Sequence, residues 1–214
     1  EEIEKAMEVY EKNKCLVISD EIWSDLTLEG HKHIPTQSVN EYAHEHTFAF
    51  YAPSKTFNLA GLVGSYHIVY NSYLRDRLME AEKCSHYNSA NVLSISALMG
   101  AYTKEGAEWV DELREVLTQN VDYAYTYITT HFEGVSVAKA QGTYMLYLDC
   151  SGWLKAHPEM TMDDLIRAGI AVGVVWQDGR PFMNPNTIRM NLAVPHALVK
   201  EAMDRLDKYV FNAK

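Results

Sequence analysis

A lysine that directly follows an apolar, strand-like run is the residue of this sequence best placed for covalent chemistry. Lys55 lies in the segment Tyr51-Ala-Pro-Ser-Lys-Thr-Phe-Asn-Leu-Ala-Gly61, after the run TFAFY. In open α/β sheets, ligands bind at the carboxyl ends of the strands. An amine held there on a constrained turn, among apolar neighbours, can act as a nucleophile. The alternative is a solvated lysine on a surface loop.

Two further charged residues occupy positions that suit ligand binding. Asp20 follows the apolar run KCLVIS, where a carboxylate can hold a cationic nitrogen of a ligand. Arg189 lies inside the apolar segment TIRMNLA, where a guanidinium is costly unless it meets an anion such as a carboxylate. The alternatives are a helix-capping or turn aspartate for the first, and a structural salt bridge for the second.

The order of the predicted elements indicates an α/β fold. In the first half, strands are predicted at KCLVISD, TFAFY and GLVGSYHIVYN, and helices at the N-terminus and from Ser72 onward. The second half reads as a smaller α+β unit, with strands at VSVAKA, TYMLYLDC, AVGVV and TIRMNLAVP. Thr161 and Asp164 are spaced as a capping box before a helix, and QDGRPFMNPNT has the composition of a loop.

Composition and charge exclude several classes of protein. The chain has 214 residues, 47% of them apolar, and a net charge of −10. That acidity argues against a broad nucleic-acid-binding face, and no apolar run reaches the length of a bilayer span. The three widely spaced cysteines form no CxxC pair, which favours a reducing cytoplasm. The pairs His31/His33 and His44/His46 have HxH spacing but no third ligand, so we predict surface histidines and no metal site.

The three charged segments together identify a family. The order SDEIW, APSKTFNLAGL and IRMNLA resembles the fold-type I pyridoxal-phosphate (PLP) enzymes of the aminotransferase class I/II group. Within that group the sequence is most similar to the MalY/PatB-type cystathionine β-lyases, also called carbon–sulfur lyases. The resemblance covers essentially the whole chain, and the string around Lys55 is its most specific part.

The resemblance implies a role for each matching residue. Lys55 would bond covalently to the cofactor aldehyde and later move protons, and Asp20 would pair with the pyridine nitrogen. Ser54 would donate to the cofactor phosphate, and Arg189 would bind the α-carboxylate of an amino-acid substrate. Trp23 occupies the position where the family usually has a tyrosine or histidine beside the cofactor's phenolic oxygen.

The resemblance also predicts how the chain is organised. Residues 1–118 would be the C-terminal part of the PLP-binding large domain, with a largely parallel sheet, and residues 119–214 the small α+β domain. Members of the family are about twice as long, so the chain is similar to their C-terminal part. We therefore expect that the chain alone binds PLP weakly or not at all. Where many aminotransferases have a phosphate-binding arginine, this sequence has Val63, as expected for the lyase branch.

The expected activity is β-elimination on cystathionine or cysteine-type amino acids, giving pyruvate, ammonia and a thiol. An aminotransferase is the nearest alternative, because it shares every step up to loss of the Cα proton. A non-catalytic fragment or interaction module is the alternative of another class. The resemblance further implies a cytoplasmic homodimer that binds no nucleic acid and no membrane.

Overall fold

A computed structural model of the protein describes residues 1–85 and 89–212, which form two compact units. Unit 1 contains residues 1–27 and 31–112, and unit 2 contains residues 28–30 and those from Leu113 onward. The predicted domain boundary after residue 118 remains a prediction.

Unit 1 is built around a three-stranded sheet in the order β1-β2-β3. β1 and β2 are parallel, whereas β3 runs antiparallel to β2. Its strands and α-helices are β1 (Val17–Asp20), β2 (Thr47–Tyr51), β3 (Tyr66–Ile68), α1 (Glu2–Lys12), α2 (Glu41–His46), α3 (Pro53–Thr56), α4 (Ser72–Ser85) and α5 (Val92–Ala101).

Local sequence explains where several of these elements begin. Asn40 caps α2 by accepting a hydrogen bond from the Ala43 amide at 2.8 Å. Pro53 opens α3, where its fixed φ suits the first helical position and its missing N–H costs nothing. β2 alternates buried and part-buried side chains, with Thr47 and Ala49 on the buried side.

The third predicted strand of unit 1 is shorter than expected. Of GLVGSYHIVYN only Tyr66–Ile68 pairs as a strand, and Ala60–Leu62 forms a turn of 3-10 helix instead. Val63 then adopts the left-handed φ of +47°, a conformation that a β-branched residue rarely takes. An apolar run that looks continuous in the sequence therefore bends before it joins the sheet.

Unit 2 contains a four-stranded antiparallel sheet in the order β4-β5-β7-β6. The long helix α6 begins before this unit and buries one face in it, with Leu117, Val121 and Ile128 at helical spacing. The elements are α6 (Lys104–His131), β4 (Ser136–Val137), β5 (Met145–Asp149), α7 (Ser151–Ala156), α8 (Met162–Ala171), β6 (Gln177–Asp178), β7 (Thr187–Asn191) and α9 (His196–Leu206).

One predicted strand of unit 2 is wrong. AVGVV contains the end of α8 and the turn that follows it, because Gly173 adopts a left-handed φ of +80°. The Val174 amide then donates back to the carbonyl of Gly169 at 2.9 Å, which closes the helix end. The capping box that begins α8 is confirmed: Thr161 and Asp164 satisfy each other's backbone amides.

Candidate functional site

The carboxyl ends of β1 and β2 lie side by side and carry two of the three charged segments. In the parallel register Asp20 is opposite Phe50, and the Glu21 amide donates to the Phe50 carbonyl at 2.8 Å. Lys55 follows five residues after Phe50, on the single turn of α3. The structure therefore brings Asp20 and the segment that carries Lys55 to the same edge of the sheet.

Two contacts connect the loop after β1 to α3. The Nζ atom of Lys55 lies 5.6 Å from the ring centroid of Trp23, so the ammonium rests over the indole. The neighbouring Thr56, 1% exposed, donates its hydroxyl hydrogen to Oδ2 of Asp25 at 2.9 Å. These contacts fix the turn that bears the lysine relative to the loop that follows Asp20.

The charges of Asp20 and Lys55 are not neutralised by the part of the chain that the structure describes. Asp20 accepts one hydrogen bond, from the Ile22 amide at 3.1 Å, and no described cation pairs with it. Lys55 has its aromatic contact with Trp23 and no ion pair with a described carboxylate. An unpaired carboxylate and an unpaired amine at one sheet edge suit a ligand that carries both a cationic nitrogen and an electrophile.

A cavity of about 240 Å³ opens at this edge. Its lining comes from the ends of β1 and β2 and from Ser65, which precedes β3: Ile18, Asp20, Ile22, Phe50, Tyr51, Ala52 and Ser65. An engineered cavity of about 150 Å³ holds benzene, so this space accommodates a substituted six-membered ring. Asp20 is the only carboxylate among the lining residues.

Tyr51 adds a hydrogen-bond donor to the cavity wall. Burial raises the pKa of its phenol to about 12, and the nearby Glu21, Tyr66 and Tyr70 act in the same direction. The ring stacks on Tyr66 with centroids 5.5 Å apart. Tyr51 is therefore protonated at neutral pH and can donate from a fixed ring.

The remaining residues of the lysine segment shape the chain around it. Ser54 is half-buried in α3, and its carbonyl accepts a hydrogen bond from the Leu59 amide at 3.1 Å. Asn58 adopts a left-handed φ of +55°, which asparagine tolerates better than most residues. Gly61 has an ordinary φ and open space around its missing Cβ, so the backbone does not require glycine there.

A buried acidic residue beside Asp20 is not predicted from the sequence. Glu21 is 4% exposed and binds Ser19, His33 and the Thr36 amide. Burial alone would raise the pKa of this carboxyl, but the hydrogen bonds from Thr36 and Ser19 and the charge of His33 lower it below its usual range. Glu21 therefore stays ionised at neutral pH.

Asp25 and Thr56 are likewise not predicted from the sequence as site residues. Thr56 lies within the quoted segment around Lys55, whereas Asp25 lies two residues after the quoted segment SDEIW. Their pairing depends on the fold, because they are 31 residues apart in the chain.

Arg189 lies in unit 2, at the middle of β7, where Tyr147 and Gln177 are its neighbours on the adjoining strands. Its guanidinium carbon is 4.7 Å from the centroid of the Phe182 ring. The buried Nε atom has no hydrogen-bond partner, and Arg189 forms no ion pair with any carboxylate of the described ranges. The structural salt bridge that would explain this arginine is therefore absent from residues 1–85 and 89–212.

His31 is exposed, as predicted, whereas His33, His44 and His46 are half-buried rather than simple surface histidines. His33 contacts the buried Glu21, whereas His44 and His46 stack on Tyr70 and Tyr42. Within the described residues there is no group of three or more histidine, cysteine or acidic side chains arranged to hold a metal ion. None of the described helices is long and apolar enough to cross a membrane.

The comparison with known proteins agrees with this geometry. The family described as aminotransferase class I and II matches residues 1–206. The chain belongs to this family. It is 33% identical over 153 residues to cystathionine β-lyase PatB of Bacillus subtilis, covering 72% of this chain and 39% of PatB. It is also 33% identical over 150 residues to protein MalY of Escherichia coli, covering 70% of this chain and 37% of MalY.

A solved structure extends the likeness across nearly the whole chain. Cystalysin from Treponema denticola, whose crystal structure contains pyridoxal 5′-phosphate, matches with a TM-score of 0.87 and 26% identity. The match covers 99% of this chain and 53% of cystalysin. The chain thus has the α/β fold of the PLP-dependent aminotransferases, and it spans about half the length of that structure and 37–39% of PatB and MalY.

The residues at the sheet edge fit the cofactor that cystalysin contains. PLP has a basic ring nitrogen, an aldehyde and a six-membered ring. Asp20 offers an unpaired carboxylate on a cavity of suitable size, and Lys55 offers an unpaired amine at the same edge of the sheet but is not one of the residues that line this cavity. Trp23 can donate a hydrogen bond through its indole N–H, but it cannot accept one or ionise.

Proposed function

We propose that the chain carries the lysine, the ring-nitrogen carboxylate and the substrate-binding arginine of a PLP-dependent carbon–sulfur β-lyase. The substrates would be cystathionine or cysteine-type amino acids, and the products pyruvate, ammonia and a thiol. The observation that carries the proposal is the set of three charged side chains, Asp20, Lys55 and Arg189, for which the described residues supply no counterion. Relatives named as a cystathionine β-lyase support the choice of reaction.

Each of these residues has one task in the proposed reaction. PLP, when bound, supplies an electron-withdrawing ring that stabilises negative charge at the substrate Cα. Asp20 holds a proton on the ring nitrogen and so maintains that electron demand. Lys55 would hold the cofactor through its aldehyde, and its amine, when free, would take the Cα proton of the substrate.

Arg189 binds the α-carboxylate of the substrate through two parallel N–H···O contacts. Loss of the Cα proton then allows the Cβ–sulfur bond to break, and the sulfur leaves as a thiol after protonation. Addition of one water molecule to the remaining three-carbon unit yields pyruvate and ammonia. Atoms balance: one amino acid and one water give one thiol, one pyruvate and one ammonia.

A transamination test separates this proposal from the aminotransferase alternative. The protein, purified as it is made in its cell and saturated with PLP, is incubated with L-cystathionine in the absence of any keto acid. A lyase releases pyruvate and a thiol over many turnovers. An aminotransferase stops after one turnover and resumes when a keto acid is added, which would overturn the proposal.

The same preparation tests the non-catalytic alternative. A protein that lacks PLP absorbance, and remains without it after PLP is added, would be a fragment or interaction module. In that case neither pyruvate nor a new amino acid would be formed from any sulfur amino acid.

A further inference from the structure

Glu21 is a buried acidic residue for which the proposed reaction has no direct use. It is 4% exposed and follows immediately after Asp20. Burying a carboxylate is costly unless it is paired and hydrogen-bonded. The contacts that compensate this cost therefore show which parts of the chain Glu21 holds together.

One oxygen of the Glu21 carboxylate is held by two donors. The Ser19 hydroxyl donates to Oε1 at 2.8 Å, and the Thr36 amide donates to the same atom at 3.1 Å. Ser19 Oγ is also 2.8 Å from the hydroxyl of Thr36. The carboxylate thus joins the end of β1 to the 3-10 turn at Thr36–Ser38.

The other oxygen is held by His33. Its Nε2 atom lies 2.5 Å from Oε2 of Glu21. The His33 side chain is 32% exposed, yet Nε2 itself is buried and turned inward. This close contact is electrostatic and lacks the geometry of a hydrogen bond, since Nε2 of His33 has no hydrogen-bond partner among the described residues. Tyr51 is a further neighbour of Glu21, whose negative charge helps to raise the pKa of the Tyr51 phenol.

These contacts fasten the chain on both sides of Asp20. Ser19, before it, is bound to Glu21 and Thr36, and Glu21, after it, is bound through its own amide to the Phe50 carbonyl at 2.8 Å. Successive side chains of a strand point to opposite sides. Glu21 therefore turns into the protein while Asp20 remains exposed at the cavity rim.

We propose that Glu21 and His33 are positioning residues that hold the Asp20 carboxylate at the edge of the cavity. The inference rests on the proposed function only in that Asp20 is the group that meets the ring nitrogen. A carboxylate that must match one atom of a bound ring needs a backbone held to within a fraction of an ångström. The buried pair provides that constraint from residues that never touch the ring.

Hydrogen exchange of two amides tests the positioning directly, without cofactor. The Ile22 amide donates to Asp20 Oδ1, and the Glu21 amide donates to Phe50, so both report on the end of β1. Replacing His33 by leucine removes the nitrogen that contacts Oε2 of Glu21, and replacing it by glutamine retains a polar nitrogen at similar length. We expect exchange of both amides to be about tenfold faster in His33→Leu and within about threefold of wild type in His33→Gln.

The exchange experiment has three results that would overturn the inference. These are unchanged rates in His33→Leu, equal acceleration in His33→Leu and His33→Gln, and a uniform acceleration across β2 and β3 that signals general destabilisation. His31→Leu is the matched control, because His31 is exposed on the same loop. It should leave both amides at the wild-type rate.

A double-mutant cycle then connects the pair to the cofactor. The Kd for PLP is measured by absorbance titration for wild type and His33→Leu, and again for both in an Asp20→Asn background. If His33 acts through Asp20, His33→Leu should weaken PLP binding about tenfold in the wild-type background. The same replacement should change the Kd by no more than about twofold in the Asp20→Asn background. If His33 had only a general structural role, His33→Leu would weaken PLP binding equally in both backgrounds, and that result would overturn the inference.

Failure of the proposed function gives a different pattern. If the wild-type protein binds no PLP, the cofactor assignment fails, while the exchange rates of the Glu21 and Ile22 amides still decide whether the pair holds Asp20. If PLP binds with wild-type affinity in His33→Leu, the positioning is overturned and the cofactor assignment stands.

Discussion

Lys55 places a primary amine over the indole of Trp23 without a carboxylate to neutralise it among the described residues. That environment suits two roles, a nucleophile for an aldehyde and a fixed positive charge. The two roles differ in one respect, since only the first requires an amine that can bond covalently and give up its proton.

Replacing Lys55 by arginine separates these roles. Arginine keeps a cation over the aromatic ring, but it stays protonated and cannot bond to the cofactor aldehyde. We expect the rate of pyruvate release from L-cystathionine to fall by at least about 10²-fold in Lys55→Arg, as in Lys55→Ala. Lys32→Arg, at an exposed lysine, is the control. Activity of Lys55→Arg near the wild-type level would contradict the nucleophilic role.

The pH dependence of stability follows from Glu21. Its folded-state pKa is below the ordinary value of 4.5, so its ionised form stabilises the fold above that pH, and this contribution is lost as the pH falls. Hydrogen bonds to a buried charge are worth about 1.5–3 kcal/mol. Glu21→Gln should therefore lower the free energy of unfolding by that amount near neutral pH and by much less at about pH 3. Urea unfolding of the wild type and Glu21→Gln at both pH values measures the loss of stability. A loss that is larger at about pH 3 than near neutral pH would contradict the stabilising role of the ionised Glu21.

Residue types and their places in the sequence were enough to select Asp20, Lys55 and Arg189 as candidates, and the family resemblance then suggested their roles. They were not enough to select Glu21. Its partners His33 and Thr36 are 12 and 15 residues away and come from a loop with no regular period. Residue spacing in the sequence does not predict a contact that depends on how a loop folds back onto a strand.

At the scale of elements, the sequence predicted secondary structure correctly where side chains determine it. The prediction was wrong where a single backbone angle determines it. The capping box of Thr161 and Asp164 and the strand TFAFY are found as predicted. The apolar run AVGVV was predicted as a strand because its composition suits one. Gly173 instead takes a left-handed φ and ends α8, an outcome set by one backbone angle rather than by hydrophobicity.

The turn that precedes β7 gives a prediction at this scale. Arg180 binds Asp163 at 2.5 Å and Asp178 at 2.7 Å, which anchors the 3-10 turn Arg180–Phe182 and sets Phe182 against Arg189. Loss of a cation–π contact costs about 0.5–2 kcal/mol. Phe182→Ala should therefore raise KM for L-cystathionine about two- to thirtyfold with little change in kcat, because in the proposed reaction the ring orients the guanidinium that would bind the substrate.

Two variants control this experiment. Phe182→Tyr keeps an aromatic face and should retain the wild-type KM. Met183→Ala changes the next residue, which is 95% exposed, and should have no effect. A loss in kcat with unchanged KM in Phe182→Ala would show that the ring acts elsewhere in the reaction.

At the scale of the whole molecule, we predict that the chain alone binds PLP weakly. The chain spans 53% of cystalysin and 39% of PatB, and the resemblance to their family implies further cofactor-binding groups beyond those identified in unit 1. β1 pairs on one side only within the described sheet, and it exposes 77% of Ile18 at the cavity wall. Strands of parallel sheets are normally covered on both faces.

An absorbance titration of the 214-residue chain tests this directly. In the proposed site Asp20 would supply an ion pair and Lys55 a covalent bond, but an open cavity would leave much of the ring in water, where charge pairing is weak. We expect PLP to bind the chain at least about 10²-fold more weakly than it binds the protein purified from its cell, where the two differ in length. Lys55→Ala should abolish the residual covalent signal, which borohydride reduction and mass measurement would locate on residue 55. Tight binding by the chain alone would mean that unit 1, with Asp20, Lys55 and Tyr51, forms a sufficient cofactor site.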